Sequence, residues 1–187
     1  MEIRRTLVRP ERSETVSNRE TDQPPVLDIH ETAYVSPDAR IHPSIMGSRI
    51  VIGAGTQIYD FVVIRAVGGR GDIIIGENCY INPQTTLYSG AGITFGNYVL
   101  IGPGCSIVPA NHATDRLDIP IRKQGFSQSR GGVVIEDDVW VGANSTLLDG
   151  TYIESGVVIA AGSVVWGRIS GNSVWGGNPC RLLKARS

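Results

Sequence analysis

Residues 133–165 read VVIEDDVWVGANSTLLDGTYIESGVVIAAGSVV, and within them Ile135, Val141, Leu147, Ile153, Ile159 and Val165 fall on an unbroken step of six. Neither the 3.6-residue period of a helix nor the two-residue period of a lone strand sustains such a step. A chain wound around three flat sides, about six residues to a side and about eighteen to a turn, does. The step recurs upstream in Ile52–Ile58–Ile64, Ile75–Ile81–Leu87 and Phe95–Ile101–Ile107, and more loosely in Val35–Ile41. Small residues follow several of these aliphatics, namely Gly53, Gly76, Gly96, Gly102, Gly142 and Ala160, as close approach between turns requires. Turns stacked at a strand spacing of about 4.8 Å put about six coils between Val35 and Val165, a triangular prism roughly 30 Å tall.

Composition agrees. Ile and Val together number 40 against nine Leu, with 23 Gly, in a chain of 187 residues. β-Branched residues suit a pleated surface, whereas a helical protein of one domain would favour Leu and Ala. The net charge of −1 gives no basic excess for holding a nucleic-acid backbone, so nucleic acid is not expected as a partner. No apolar run is long enough to span a bilayer and the N-terminus is charged, so no integral membrane segment is expected and the cytoplasm is the expected location. Cys79, Cys105 and Cys180 lack metal-ligand spacing and read as buried or half-buried thiols, with no metal expected.

Residues 1–26 are charged and aperiodic and read as a flexible N-terminal arm, leaving 27–187 for the solenoid. Two stretches interrupt the step: Arg65–Asp72, a Gly-rich corner loop, and residues 109–132, PANHATDRLDIPIRKQGFSQSRGG, a long insertion that carries His112. Beyond the last hexad, residues 171–187 alternate Leu182 and Leu183 with Arg181, Lys184 and Arg186, which reads as a short amphipathic helical cap. Tyr98 and Val99 are expected on the exterior.

His112 is one of three histidines, and an imidazole largely neutral at pH 7 can take a proton from an attacking hydroxyl. By residue type alone the surface histidine of a mobile loop is the favoured reading. The block ITFGNYVLIGPGCSIVPANH, the insertion, and the block from Val133 to Val165 together resemble the hexapeptide-repeat acyltransferases, in particular their galactoside, maltose and polysaccharide O-acetyltransferase branch, over roughly residues 75–184. That resemblance implies a left-handed parallel β-helix, acetyl-CoA as co-substrate, and a homotrimer with sites between subunits. It implies His112 as the catalytic base and Asn82 as the amide that steadies the acceptor or the tetrahedral intermediate. On the cofactor side it implies Trp140 as a wall beside the thioester and Ala143 and Ala161, eighteen residues apart, as the edge that meets the pantetheine amides. Gly142 and Gly162 keep that edge open, and Arg181 and Lys184 approach the phosphates of coenzyme A.

Each of these has a plainer reading: Asn82 as a corner residue, Trp140 as packing, the small residues as a demand of tight corners, and the basic pair as a solvated end. Two departures from the family pattern stand out. Galactoside-type relatives carry acidic residues where this chain has Ser89-Gly90, and many relatives carry Thr-Lys where it has Trp166-Gly167.

The function expected is acetyl transfer from acetyl-CoA to a sugar hydroxyl, in lipopolysaccharide or capsule assembly. The alternatives are N-acetylation of a nucleotide-linked amino sugar or another amine, and a non-catalytic scaffold. A γ-type carbonic anhydrase shares the solenoid but requires three histidines on one zinc, and His30 and His42 lie in the first coils, far from His112.

Overall fold

The computed structural model describes residues 27–67 and 71–186; the expected N-terminal arm lies outside the described residues. The chain winds through three parallel sheets, A, B and C, visiting each once per coil. Sheet A runs from Leu27–Ile29 to Arg168–Ile169, sheet B from Tyr34–Val35 to Ser173–Gly176, and sheet C from Arg40–His42 to Val164–Val165. Six complete coils are followed by a seventh that lacks its sheet C side.

The six-residue step becomes columns inside the prism. On sheet B, Ile58, Ile81, Ile101, Val141 and Ile159 stack in register, and on sheet C, Ile64, Leu87, Ile107, Leu147 and Val165 do the same. All ten are fully buried. The columns run in parallel with backbone hydrogen bonds between coils, so apolar burial and the ladder reinforce each other at every turn.

The corners use left-handed backbone. At the corner between sheets B and C, Gln84, Gly104, Asn144 and Gly162 take φ of 63°, 70°, 57° and 72° in successive coils. Gly142 serves a different need: a Cβ there would lie 2.5 Å from the backbone nitrogen of Ala161, so the next coil occupies the space of its side chain. Cys79 and Cys105 fill corner columns, and burial pushes both thiols up.

Two expectations need correction. Val99 is buried, not exterior: its carbonyl accepts from Tyr80, and it occupies the corner column of Cys79, Val139 and Val157. Tyr98, with φ of 58°, takes the left-handed corner position and is exposed. The end of the chain is also not helical. Gly176 to Pro179 turn the chain back, and Arg181–Ala185 forms a strand antiparallel to Ser173–Gly176. The last coil offers a row of unpaired N–H and C=O groups, and pairing satisfies them, whereas a helix of about one turn has a costly nucleus and little to gain.

Candidate active site

The insertion leaves sheet C after Val108 and returns to sheet A at Val133. It is ordered by pairing with itself. The outgoing arm at 111–113 and the returning arm at 125–127 lie antiparallel, with an isolated bridge between His112 and Phe126. Ala113 N–H donates to the Gly125 carbonyl at 3.1 Å and Ser127 N–H to the Asn111 carbonyl at 2.9 Å. A single helical turn, Ile121–Gln124, closes the tip.

This pairing orients His112. Its ring stacks on Phe126 with centroids 4.9 Å apart and planes at 23°. Its Nδ1 lies 3.1 Å from the Gly125 carbonyl oxygen. A carbonyl can only accept, so Nδ1 carries the proton and the lone pair of the neutral ring sits on Nε2. An imidazole held in that tautomer presents a base.

The ring lines a cleft of about 860 Å³ together with Thr114, Asp115, Ser127, Arg130, Leu148 and Trp166. The cleft lies on the edge where sheet C passes to sheet A. Leu148 stands opposite Val108 on the outer face of sheet C, and Trp166 follows Val165 at the equivalent place one coil on. The Trp166 indole is half exposed and forms an apolar wall. Asp149 is 97% buried at the floor, where its carboxylate accepts from Ser129 Oγ at 2.8 Å, Arg130 N–H at 2.7 Å and Gly132 N–H at 2.9 Å.

The other expected site residues lie elsewhere on the chain. Asn82 follows Ile81 on the edge where sheet B passes to sheet C, and one N–H of its amide donates to the Ile101 carbonyl at 2.8 Å. The register that aligns Ile81, Ile101, Val141 and Ile159 places Gly142 on that same edge, with Ala143, Ala161 and Gly162 beside it. Ala161 and Gly162 are exposed and Ala143 is half-buried, so the edge leaves backbone accessible. Trp140 is half exposed on the outer face of sheet B, between Leu100 and Val158 in neighbouring coils. Arg181 and Lys184 are exposed on the terminal strand. Within one chain, therefore, His112 and Asn82 stand on opposite edges of sheet C.

Sequence reasoning missed Asp149, Arg130 and Phe126, and noted Trp166 only as a departure. Asp149 follows Leu148 within the hexad pattern and carried no signal of its own. Phe126 and Arg130 lie in an insertion without a period, where position cannot be read.

Comparison with known proteins assigns the class. Residues 132–165 match the family model for the bacterial transferase hexapeptide (six repeats). The chain is 31% identical over 161 residues to the putative lipopolysaccharide biosynthesis O-acetyl transferase WbbJ of Escherichia coli, covering 83% of this chain and 77% of that protein. It is 30% identical over 167 residues to the mitochondrial gamma carbonic anhydrase 2 of Arabidopsis thaliana, covering 87% of this chain and 51% of that one. Among solved structures, the AntD N-acyltransferase of Bacillus cereus, in complex with dTDP-4-amino-4,6-dideoxyglucose and coenzyme A, superposes with a TM-score of 0.70. That match has 24% identity and covers 86% of this chain and 84% of that one. The chain belongs to the hexapeptide-repeat acyltransferase superfamily, and its fold is the left-handed parallel β-helix of that family. It spans between 50% and 56% of the length of several curated relatives it matches, that anhydrase among them.

Among the described residues no three metal-ligating side chains cluster. His30 and His42 belong to the first coil and His112 to the loop after the fourth, about 14 Å apart along the axis at three strand spacings. No helix among the described residues is long and apolar enough to cross a membrane.

Proposed function

We propose that this protein is an acetyl-CoA-dependent acetyltransferase that acetylates a sugar hydroxyl, in the cytoplasmic stages of surface polysaccharide assembly. The observation that carries the reading is the 3.1 Å contact of His112 Nδ1 with the Gly125 carbonyl, which leaves the ring's lone pair to Nε2 in a side chain that lines an open cleft. Nε2 removes the proton of the acceptor hydroxyl as its oxygen attacks the thioester carbonyl. The second N–H of the Asn82 amide steadies the resulting oxyanion. Collapse expels the thiolate of coenzyme A, which takes the proton back from the imidazolium. The scheme needs no acyl-enzyme, in keeping with three cysteines that are buried and whose thiols burial pushes up.

Because His112 and Asn82 occupy opposite edges of sheet C, the scheme requires two copies of the chain side by side. A homotrimer meets that requirement, each cleft facing the Asn82–Ala161 edge of a neighbour. That edge, with its accessible backbone, would hold the pantetheine arm beside Trp140. Arg181 and Lys184, at the end of the prism, are placed for the phosphates.

Three measurements test the reading together. Calorimetry should find acetyl-CoA binding, weakened in the Arg181→Ala, Lys184→Ala double variant. Light scattering should give a trimer. A screen of sugar acceptors should find O-acetylation; transfer only to amines would replace the hydroxyl acceptor with an amino sugar, and a trimer that binds no acetyl-CoA would leave a scaffold.

A further inference from the structure

Asp149 is the buried carboxylate of the cleft, the reaction scheme leaves it unused, and its surroundings specify what it does. It stands at the corner after Leu148, which pairs with Val108, the residue after which the insertion leaves the prism. Its two oxygens take three donors from four consecutive residues: Oδ1 accepts from the Ser129 hydroxyl and the Gly132 N–H, and Oδ2 from the Arg130 N–H. The neighbouring Gly150, at φ of 85°, donates its N–H to the Gly132 carbonyl at 2.7 Å, so the return arm is pinned in both directions. A Cβ on Gly150 would meet that of Arg130 at 2.8 Å, which shows how closely the arm is seated.

The anchor reaches His112 through three residues of backbone. Ser129 follows the 125–127 arm, and that arm supplies everything that orients the imidazole: the Gly125 carbonyl at Nδ1, the Phe126 ring beneath it, and the Ser127 bond to Asn111. Nothing else in the described residues hydrogen-bonds the His112 ring. We propose that Asp149 is a positioning residue, whose buried carboxylate fixes the return arm of the insertion and thereby holds His112 in its Nδ1–H tautomer facing the cleft. The catalytic meaning of this rests on the reading of His112 as the base. The clamp itself is independent of that reading.

Both oxygens of the side chain are needed as acceptors, since three donors converge on them. An amide of the same shape replaces one acceptor oxygen with an NH2 group and sets donor against donor. Asp149→Asn is therefore the sharp variant. Ser129→Ala removes one of the three bonds while leaving the carboxylate in place, and serves if the first fails to fold.

The test is made on the full-length, 15N-labelled protein. Long-range 1H–15N correlation of the imidazoles, with His112 assigned by its loss in His112→Ala, reports the tautomer directly. The wild type should show the Nδ1–H form, and Asp149→Asn a mixture shifted to the Nε2–H form. Trypsin cleavage at the exposed Arg116, Arg122 and Lys123 should quicken about tenfold while thermal unfolding of the coils is unmoved. Turnover on an acceptor found by the screen should fall about 100-fold in kcat, with KM for acetyl-CoA changed less than about twofold, and Ser129→Ala should lie between. An unchanged tautomer and cleavage rate in both variants would overturn the proposal. A shifted tautomer with undiminished kcat would leave the clamp standing and remove His112 from the chemistry.

Discussion

The two edges that border sheet C are made of the same hexads and behave as different materials. On the edge facing sheet B, Asn82, Gly102, Gly142 and Ala160 follow one another coil by coil, and each position is set by the coil beneath it. On the edge facing sheet A, the chain departs after Val108, and the cleft is assembled from four separate stretches: 111–115, 127–130, 148–149 and Trp166. The unbroken edge is a rail whose geometry comes free with the fold. The broken one carries the His112 imidazole, and must supply its own scaffolding through Phe126, Gly125 and Asp149. A solenoid provides straight, repetitive surfaces readily; a single oriented imidazole requires an interruption of the repeat.

The comparison is broken most severely at His112. His112→Ala should reduce kcat by about a thousandfold, roughly 4 kcal/mol, while acetyl-CoA affinity and oligomeric state stay as they are. Steady-state kinetics beside calorimetry separate the two. Retained turnover would mean that the loop is only an ornament of the rail.

The rail is attacked next, through stability rather than rate. Gly142→Ala puts a methyl 2.5 Å from the Ala161 nitrogen, and only the backbone of the next coil can yield. We expect a loss of about 3 kcal/mol in unfolding free energy, read from denaturant melts. The same substitution at Gly125, in the loop, meets no atom within 4 Å and carries only the strain of its φ of 80°, which sharpens the contrast. Smaller again is the double variant Arg181→Ala, Lys184→Ala, expected to weaken acetyl-CoA binding about 10- to 30-fold, or roughly 2 kcal/mol, with a matching loss of salt dependence.

The difference between the edges also decides what could be read from the sequence. The run of hexads from Ile135 to Val165 defines the prism and its three sides, because each hexad aliphatic is buried for the same reason as the one before it. The pairing of Ala143 with Ala161 was legible for that reason too. Sequence alone does not separate Val99 from its neighbour Tyr98, whereas the corner spends Tyr98 on the left-handed position and turns Val99 inward. The terminal strand was read as a helix because Arg181 to Arg186 has an amphipathic composition, and composition does not reveal that the last coil offers an unpaired edge. His112 could be singled out by its rarity and by resemblance; the residues that hold it could not, since Phe126, Arg130 and Asp149 meet only after a loop without periodicity has folded back.

Trp166 gives the finest test of the cleft. It stands where many relatives carry Thr-Lys, and its indole turns the C–A edge apolar beside a histidine, two acidic side chains and an arginine. Such a mixture suits a pyranose, whose C–H face packs on an aromatic surface while its hydroxyls find polar partners. Aromatic packing of this kind contributes about 1 kcal/mol, so Trp166→Ala should raise acceptor KM about fivefold and leave kcat and acetyl-CoA affinity unchanged. A rise in the KM for acetyl-CoA instead would place the indole against the thioester arm. The two edges of sheet C would then share the cofactor, and the acceptor would have to approach His112 from the loop side alone.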